Sequence, residues 1–381
     1  MELVIGIISS ILATLIVATT VYAYRRGLIH VYWDHLVSWL LPSHTSSEKD
    51  KTNDPDRVRR ILIRLLRRDQ SRTGPHYGQF GRSASLDEQE KYQTGSEKLS
   101  LKPRLYLTNW PCTILKEHNL EPRSIRIAAN GIERLFVNSR VYVYQSATQQ
   151  TPPHHQPQII SYRHTICGAL LLHHVKGWIR IVRNVVDAML DDRNDWQKAD
   201  GGWAQCDREH TQSDLWGSAY ALRLLQCVLD DSKTFSSAEH TLAFNAISRT
   251  IAYFRKCWEK NEWSYGKSLS EENAVILLIE IAPVLLRHDR QFLDTVVAHT
   301  KQWLSPSGDL SESYLATCKD IPRTVLYARM SYALCLGQQS TSLWLPLYYR
   351  SVENLTDDLN SADMSFLIAL SYQCEENREG K

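Results

Sequence analysis

Residues 196–225, WQKADGGWAQCDREHTQSDLWGSAYALRLL, constrain the fold more than any other stretch of the chain. Within them Gln197, Gly201 and Trp203 form Q-x-x-x-G-x-W, with Asp200 and Gly202 filling the middle. Paired glycines permit positive φ, Asp200 is placed to cap backbone amides, and Trp203 has a ring large enough to fold back over the junction. The stretch predicts a sharp turn between two helices. Ser213 or Asp214 caps the second helix, which carries Leu215, Trp216, Ala219, Leu222 and Leu225 at helical spacing.

The surroundings of this turn recur weakly. WEKNEWSYG at 258–266 precedes Glu271, Glu272, Asn273 and an apolar run, and WLSPSGDL at 303–310 precedes Arg323, Thr324 and another. Related helix starts read Tyr162-Arg163-His164-Thr165, Ser213-Asp214, Glu272-Asn273-Ala274 and Arg323-Thr324, with a fifth at 363–365. They return every 40 to 60 residues, the spacing of stacked helix pairs. Partner helices are predicted near 176–192, 238–259, 289–304 and 342–355, and another helix at 121–138. Strand alternation is nearly absent, 140–145 being the best exception.

The Q-x-x-x-G-x-W at Gln197 to Trp203, ending one helix and opening the next, resembles the tryptophan-glutamine turn of the terpenoid cyclase and protein prenyltransferase-like α/α toroids. The resemblance covers residues 159–373 and implies an all-α fold of helical-pair repeats. In such a ring the inner helices begin at one rim of a central cavity. The resemblance thus implies that Arg163, His164, Asp214, Glu272, Asn273, Arg323 and Thr324 share that rim as ligand-binding residues. Helix capping alone explains Asp214 and Glu272 but not Arg163 and Arg323, since cations are disfavoured at a helix N-terminus. Gln197, Asp200, Gly201, Gly202 and Trp203 are the structural turn.

The chemistry of those families is not carried over. The sequence holds neither the D-x-D-D of class II cyclases nor the D-x-C of the prenyltransferase zinc site. A literal D-D-x-x-D occurs at 191–195, but Arg193 stands among its acids at the end of a partner helix. It reads as a solvated helix terminus. His154 and His155 lie on a proline-rich loop and read as exposed, and no cofactor or metal site is expected.

At 381 residues and 43% hydrophobic content the chain can bury a large core, and a net charge of +2 gives no basis for a polyelectrolyte partner. Eight cysteines are scattered without a C-x-x-C pair, which fits buried thiols in a reducing compartment. Residues 3–24 are uncharged and long enough to cross about 30 Å of hydrocarbon, with Arg25 and Arg26 following. This predicts a single-pass anchor at 1–26 with the N-terminus outside and the bulk cytoplasmic. A juxtamembrane region follows at 27–72, where Arg57, Arg59, Arg60, Arg64, Arg67 and Arg68 form a basic amphipathic helix expected on anionic headgroups. A linker with accessory helices at 73–158 and the toroid at 159–381 complete the division. The layout predicts a non-catalytic ligand-sensing or regulatory module acting at a membrane, a bacterial defence effector among the possibilities. Its ligand is a small molecule, lipid or peptide, a protein partner or second copy is open, and nucleic acid is not expected. The alternative is an enzyme acting on an isoprenoid or other amphiphile.

Overall fold

The computed structural model describes residues 54–71, 77–81, 105–144, 158–207, 212–261, 271–319, 321–353, 355 and 359–379. Among them are thirteen α-helices: α1 (Pro55–Asp69), α2 (Leu105–Glu117), α3 (Pro122–Glu133), α4 (Tyr162–Lys176), α5 (Arg180–Leu190), α6 (Leu215–Asp230), α7 (Ser237–Lys260), α8 (Glu271–His288), α9 (Arg290–Lys301), α10 (Glu312–Thr317), α11 (Arg323–Leu336), α12 (Thr341–Glu353) and α13 (Ser361–Glu379). Their starts follow from capping: Ser161, Asp214, Ser236 and Asp289 each accept a first-turn amide with the side chain.

Burial sorts the helices into two sets. In α4 every residue from Thr165 to Leu172 is buried, and in α11 every residue from Ala328 to Leu334. Helices apolar on all sides must be covered on all sides. They pack in succession: α2 against α4, α4 against α6, α6 against α8, α8 against α11, α11 against α13, and α13 back against α2. The second set buries one stripe only, as α12 does with Trp344, Leu347, Tyr348, Ser351 and Val352. Here α1 lies on α13, α3 on α2 and α4, α5 on α4, α7 on α5 and α6, α9 on α8, and α12 on α11 and α13.

Two small sheets interrupt the helices. β1 (Phe136–Val137), β2 (Arg140–Tyr144) and β3 (Gln158–Ile160) are antiparallel, and β4 (Trp203–Ala204) pairs with β5 (Ser213–Asp214). The helix predicted over 121–138 stops at Glu133 because Asn138 and Ser139, at φ 48° and 58°, turn a hairpin between β1 and β2.

The Q-x-x-x-G-x-W turn clips α7 to the start of α6. Gln197 Nε2 donates to the Gly201 and Ala246 carbonyls at 3.0 and 2.9 Å and to Thr250 Oγ1 at 3.0 Å. Fully buried Trp203 donates its indole N–H to the same Thr250 oxygen at 2.9 Å, and its amide to Ser218 Oγ of α6. Asp200 accepts from the Gly202 amide and the Ser213 hydroxyl. Residues 303–311 repeat the backbone pattern: Ser305 to Asp309, Gly308 to Ser305 and Ser311 to Trp303 match Lys198 to Gly202, Gly201 to Lys198 and Ala204 to Trp196. In this second copy Leu304 and Leu310 replace the glutamine and the tryptophan. The WEKNEWSYG turn falls largely outside the described residues.

The membrane reading is corrected. Among the described residues no helix is long and apolar enough to cross a membrane. Even α8, the most continuous apolar run, carries Glu271, Glu272, Glu280 and Arg287. Residues 1–26 lie outside the described residues, so the single-pass topology is not carried forward. The helical body also begins before residue 159. Helix α1 buries Val58, Leu62 and Leu66, and its Arg59 pairs with Glu375 of α13 and lies over the Tyr372 ring at 4.0 Å. Arg67 is held by Glu121, Arg57 is half-buried, and Arg60, Arg64 and Arg68 are exposed. The arginine-rich face is therefore the outer side of a helix docked on protein.

Candidate functional site

The first turns of α2, α4 and α6, with α8 beside them, line an open-mouthed cavity of about 320 Å³. Its walls are Leu105 and Tyr106 from α2, Arg163, His164 and Cys167 from α4, Trp216 and Tyr220 from α6, and Ile276 from α8. The predicted rim residues Arg163 and His164 thus share one cavity, and Asp214 stands behind them. Arg163 Nη1 reaches Asp214 Oδ1 at 3.4 Å, while Asp214 Oδ2 accepts the Gly217 amide at 2.7 Å as the cap of α6. Burial pushes the Asp214 carboxyl above its ordinary range, against the pull of Arg163 and that amide. His164 is oriented by its Nδ1 contact to Ser161 Oγ at 2.6 Å.

One helical turn deeper, α2, α6 and α8 meet α11 and α13 in a buried cluster. Trp110 of α2 donates its indole N–H to Glu280 of α8 at 2.6 Å, and Glu280 pairs with Arg223 of α6. The Arg223 guanidinium lies over the Trp110 ring at 4.4 Å. Tyr332 of α11 and Phe366 of α13 stack on each other at 4.6 Å and meet Trp110 edge-on at 5.9 and 5.3 Å. Five helices converge on these side chains, which close the space behind the cavity.

Further along α4, burial, with Arg223 and His173 adding, pushes the His174 pKa down to about 3 from 6.5. The folded imidazole is therefore neutral where the unfolded one takes a proton. Below pH 6.5 the unfolded chain binds the extra proton, so this group's stability is lost progressively as pH falls toward 3. His174→Gln is expected to lose less stability than the parent between pH 6.5 and 4.5. Urea unfolding across that range checks it, and parallel losses in the two proteins contradict it.

The remaining expected rim residues divide. The side chains of Glu272 and Asn273 lie outside what is described, although Ile276, one turn along, does line the cavity. Thr324 is buried in α11, but Arg323 is exposed and neither lines the cavity. Asp191 caps a 3₁₀ turn and binds Arg193 through both oxygens, and Asp195 pairs with Lys198. Those acids are on the surface, away from the cavity lining, so Asp191→Asn and Asp195→Asn are expected to leave the melting temperature unchanged. Among the described residues no group of three His, Cys, Asp or Glu side chains is arranged to hold a metal ion.

Sequence reading missed Cys167 and Ile276, although they follow the rim positions Arg163 and Glu272 by four residues and so lie one turn inward on the same face, and Tyr220, six residues past Asp214. It also missed Tyr106, since α2 had not been placed among the packed helices.

No family model matches the sequence, and no curated protein matches it. Among solved structures the chain is similar to the Lin0763 protein from Listeria innocua, at 12% identity over 86% of this chain and 98% of that one, with a TM-score of 0.48. The chain is a predominantly helical protein, and membership of the terpenoid cyclase or prenyltransferase families is not shown.

Proposed function

We propose that the chain is an α/α toroid of six helix pairs serving as a ligand-sensing module, with a small amphiphile held in the rim cavity by Arg163. The succession of contacts that returns from α13 to α2 supports the ring, as does the cluster to which α2, α6, α8, α11 and α13 all contribute. A linear stack of pairs would not bring first and last helices together.

Arg163 carries the functional reading. Its guanidinium has five donors, its side-chain contact to Asp214 is long at 3.4 Å, and it shares the cavity wall with Tyr106, Trp216 and Tyr220. A cation in the first turn of a helix opposes the dipole, so an anion bound there supplies what the fold withholds. The two nucleophile candidates in the wall are poorly suited to chemistry: burial pushes both the Cys167 thiol and the Tyr220 phenol up.

Full-length protein purified from cells, then denatured and extracted, tests the reading by mass spectrometry of the released molecules. A species carried by the parent and by Arg323→Ala is expected to be depleted from Ile276→Trp, which fills the cavity. An identical profile from folded Ile276→Trp contradicts the proposal.

A further inference from the structure

We infer that the ligand is a medium-chain monocarboxylate, a refinement that rests on the cavity reading above. Among the described residues one guanidinium, Arg163, faces the cavity, and the buried Asp214 carboxylate lies 3.4 Å from it. A single carboxylate fits the Arg163 fork as a bidentate pair. A phosphate dianion or a diphosphate brings at least one more negative charge beside Asp214, and among the described residues no lysine and no second arginine lines the wall to meet it, His164 being turned to Ser161 Oγ at 2.6 Å.

Leu105, Tyr106, Trp216, Tyr220 and Ile276 give the ligand's body an apolar, largely aromatic surface. A cavity of about 320 Å³ stands at the small end of the roughly 300–1,000 Å³ range of small-molecule sites and suits a ligand body on the order of ten non-hydrogen atoms. The chain cannot run deeper, because Trp110, Tyr332 and Phe366 fill the next layer and Trp110 is fixed by Glu280 and Arg223. A long isoprenoid diphosphate would leave much of its chain outside the cavity and its further charge without a lysine or arginine among the described lining residues.

Calorimetric titration of the full chain with octanoate, 1-octanol, octyl phosphate and palmitate tests this. Octanoate is expected to bind at least tenfold more tightly than octanol or octyl phosphate, and palmitate not to bind. Arg163→Ala should weaken octanoate about tenfold or more, as loss of a charge-assisted pair does, and leave octanol unchanged. Ile276→Trp should abolish binding of every member while retaining the helical circular dichroism of the parent. Equal binding of octanol, octyl phosphate or palmitate overturns the monocarboxylate assignment and leaves the cavity reading standing. Octanoate binding that survives Ile276→Trp places it elsewhere and overturns the assignment. Failure of all four with the folded parent overturns both.

Discussion

Trp203→Ala is expected to destabilise the protein by about 3 to 5 kcal/mol, the range for deleting a fully buried large aromatic. Its ring is completely covered, and its two N–H groups tie the turn to Thr250 of α7 and Ser218 of α6. Trp203→Phe keeps most of the packing and loses the indole donor, so about 1 to 2 kcal/mol is expected. Gly201→Val should rival the alanine variant. Its φ is +90°, and an added Cβ would lie 2.3 Å from the Arg249 carbonyl oxygen, a backbone atom that cannot step aside. The equivalent glycine of the second turn separates the two causes. Gly308 has φ +81° but nothing within 4 Å of an added Cβ, so Gly308→Ala should cost only about 1 to 2 kcal/mol of backbone strain. Urea unfolding of the full chain reads all four, and an unchanged midpoint for Trp203→Ala removes the turn from its place in the fold.

Arg223→Ala is the second large effect, at about 3 to 5 kcal/mol, because it strands a fully buried carboxylate. Glu280 would keep only the Trp110 indole donor. The loss is expected to be non-additive. Arg223→Met with Glu280→Met removes both charges and fills similar volume, and it should recover much of the stability that either single change loses. A double-mutant cycle by urea unfolding measures this coupling. Additive losses would mean that the pair is solvated, which its burial at the centre of the helices does not allow.

The two predictions draw on unequally legible parts of the sequence. Helix starts near 162, 215, 271, 323 and 361 were readable because each begins polar and then turns apolar on every face. Helix α2 was not placed in that set. It carries Pro111 in its interior and the polar Asn109 and Thr113 among its buried residues, so its period is blurred. The arginine stripe of helix α1 shows which side is polar but not what covers the other, and its apolar side lies on α13. At the rim, a helix start fixes height but not rotation. Arg163 turns toward the cavity, Arg323 faces outward, and on α11 it is Arg329 that is buried, paired with Asp363 of α13. The Arg223, Glu280 and Trp110 cluster left no sequence signal, since its members come from three helices and no spacing links them.

Hydrogen exchange of the full chain with and without saturating octanoate tests the central claim most directly. First-turn amides lack intrahelical acceptors and report on whatever binds beside them. The account predicts slowed exchange across 105–107, 162–165 and 215–218, with 290–301 and 341–353 unchanged. Slowing confined to 242–249, beside the separate surface pocket that Met189 and Leu190 of α5 form with α7, would contradict it.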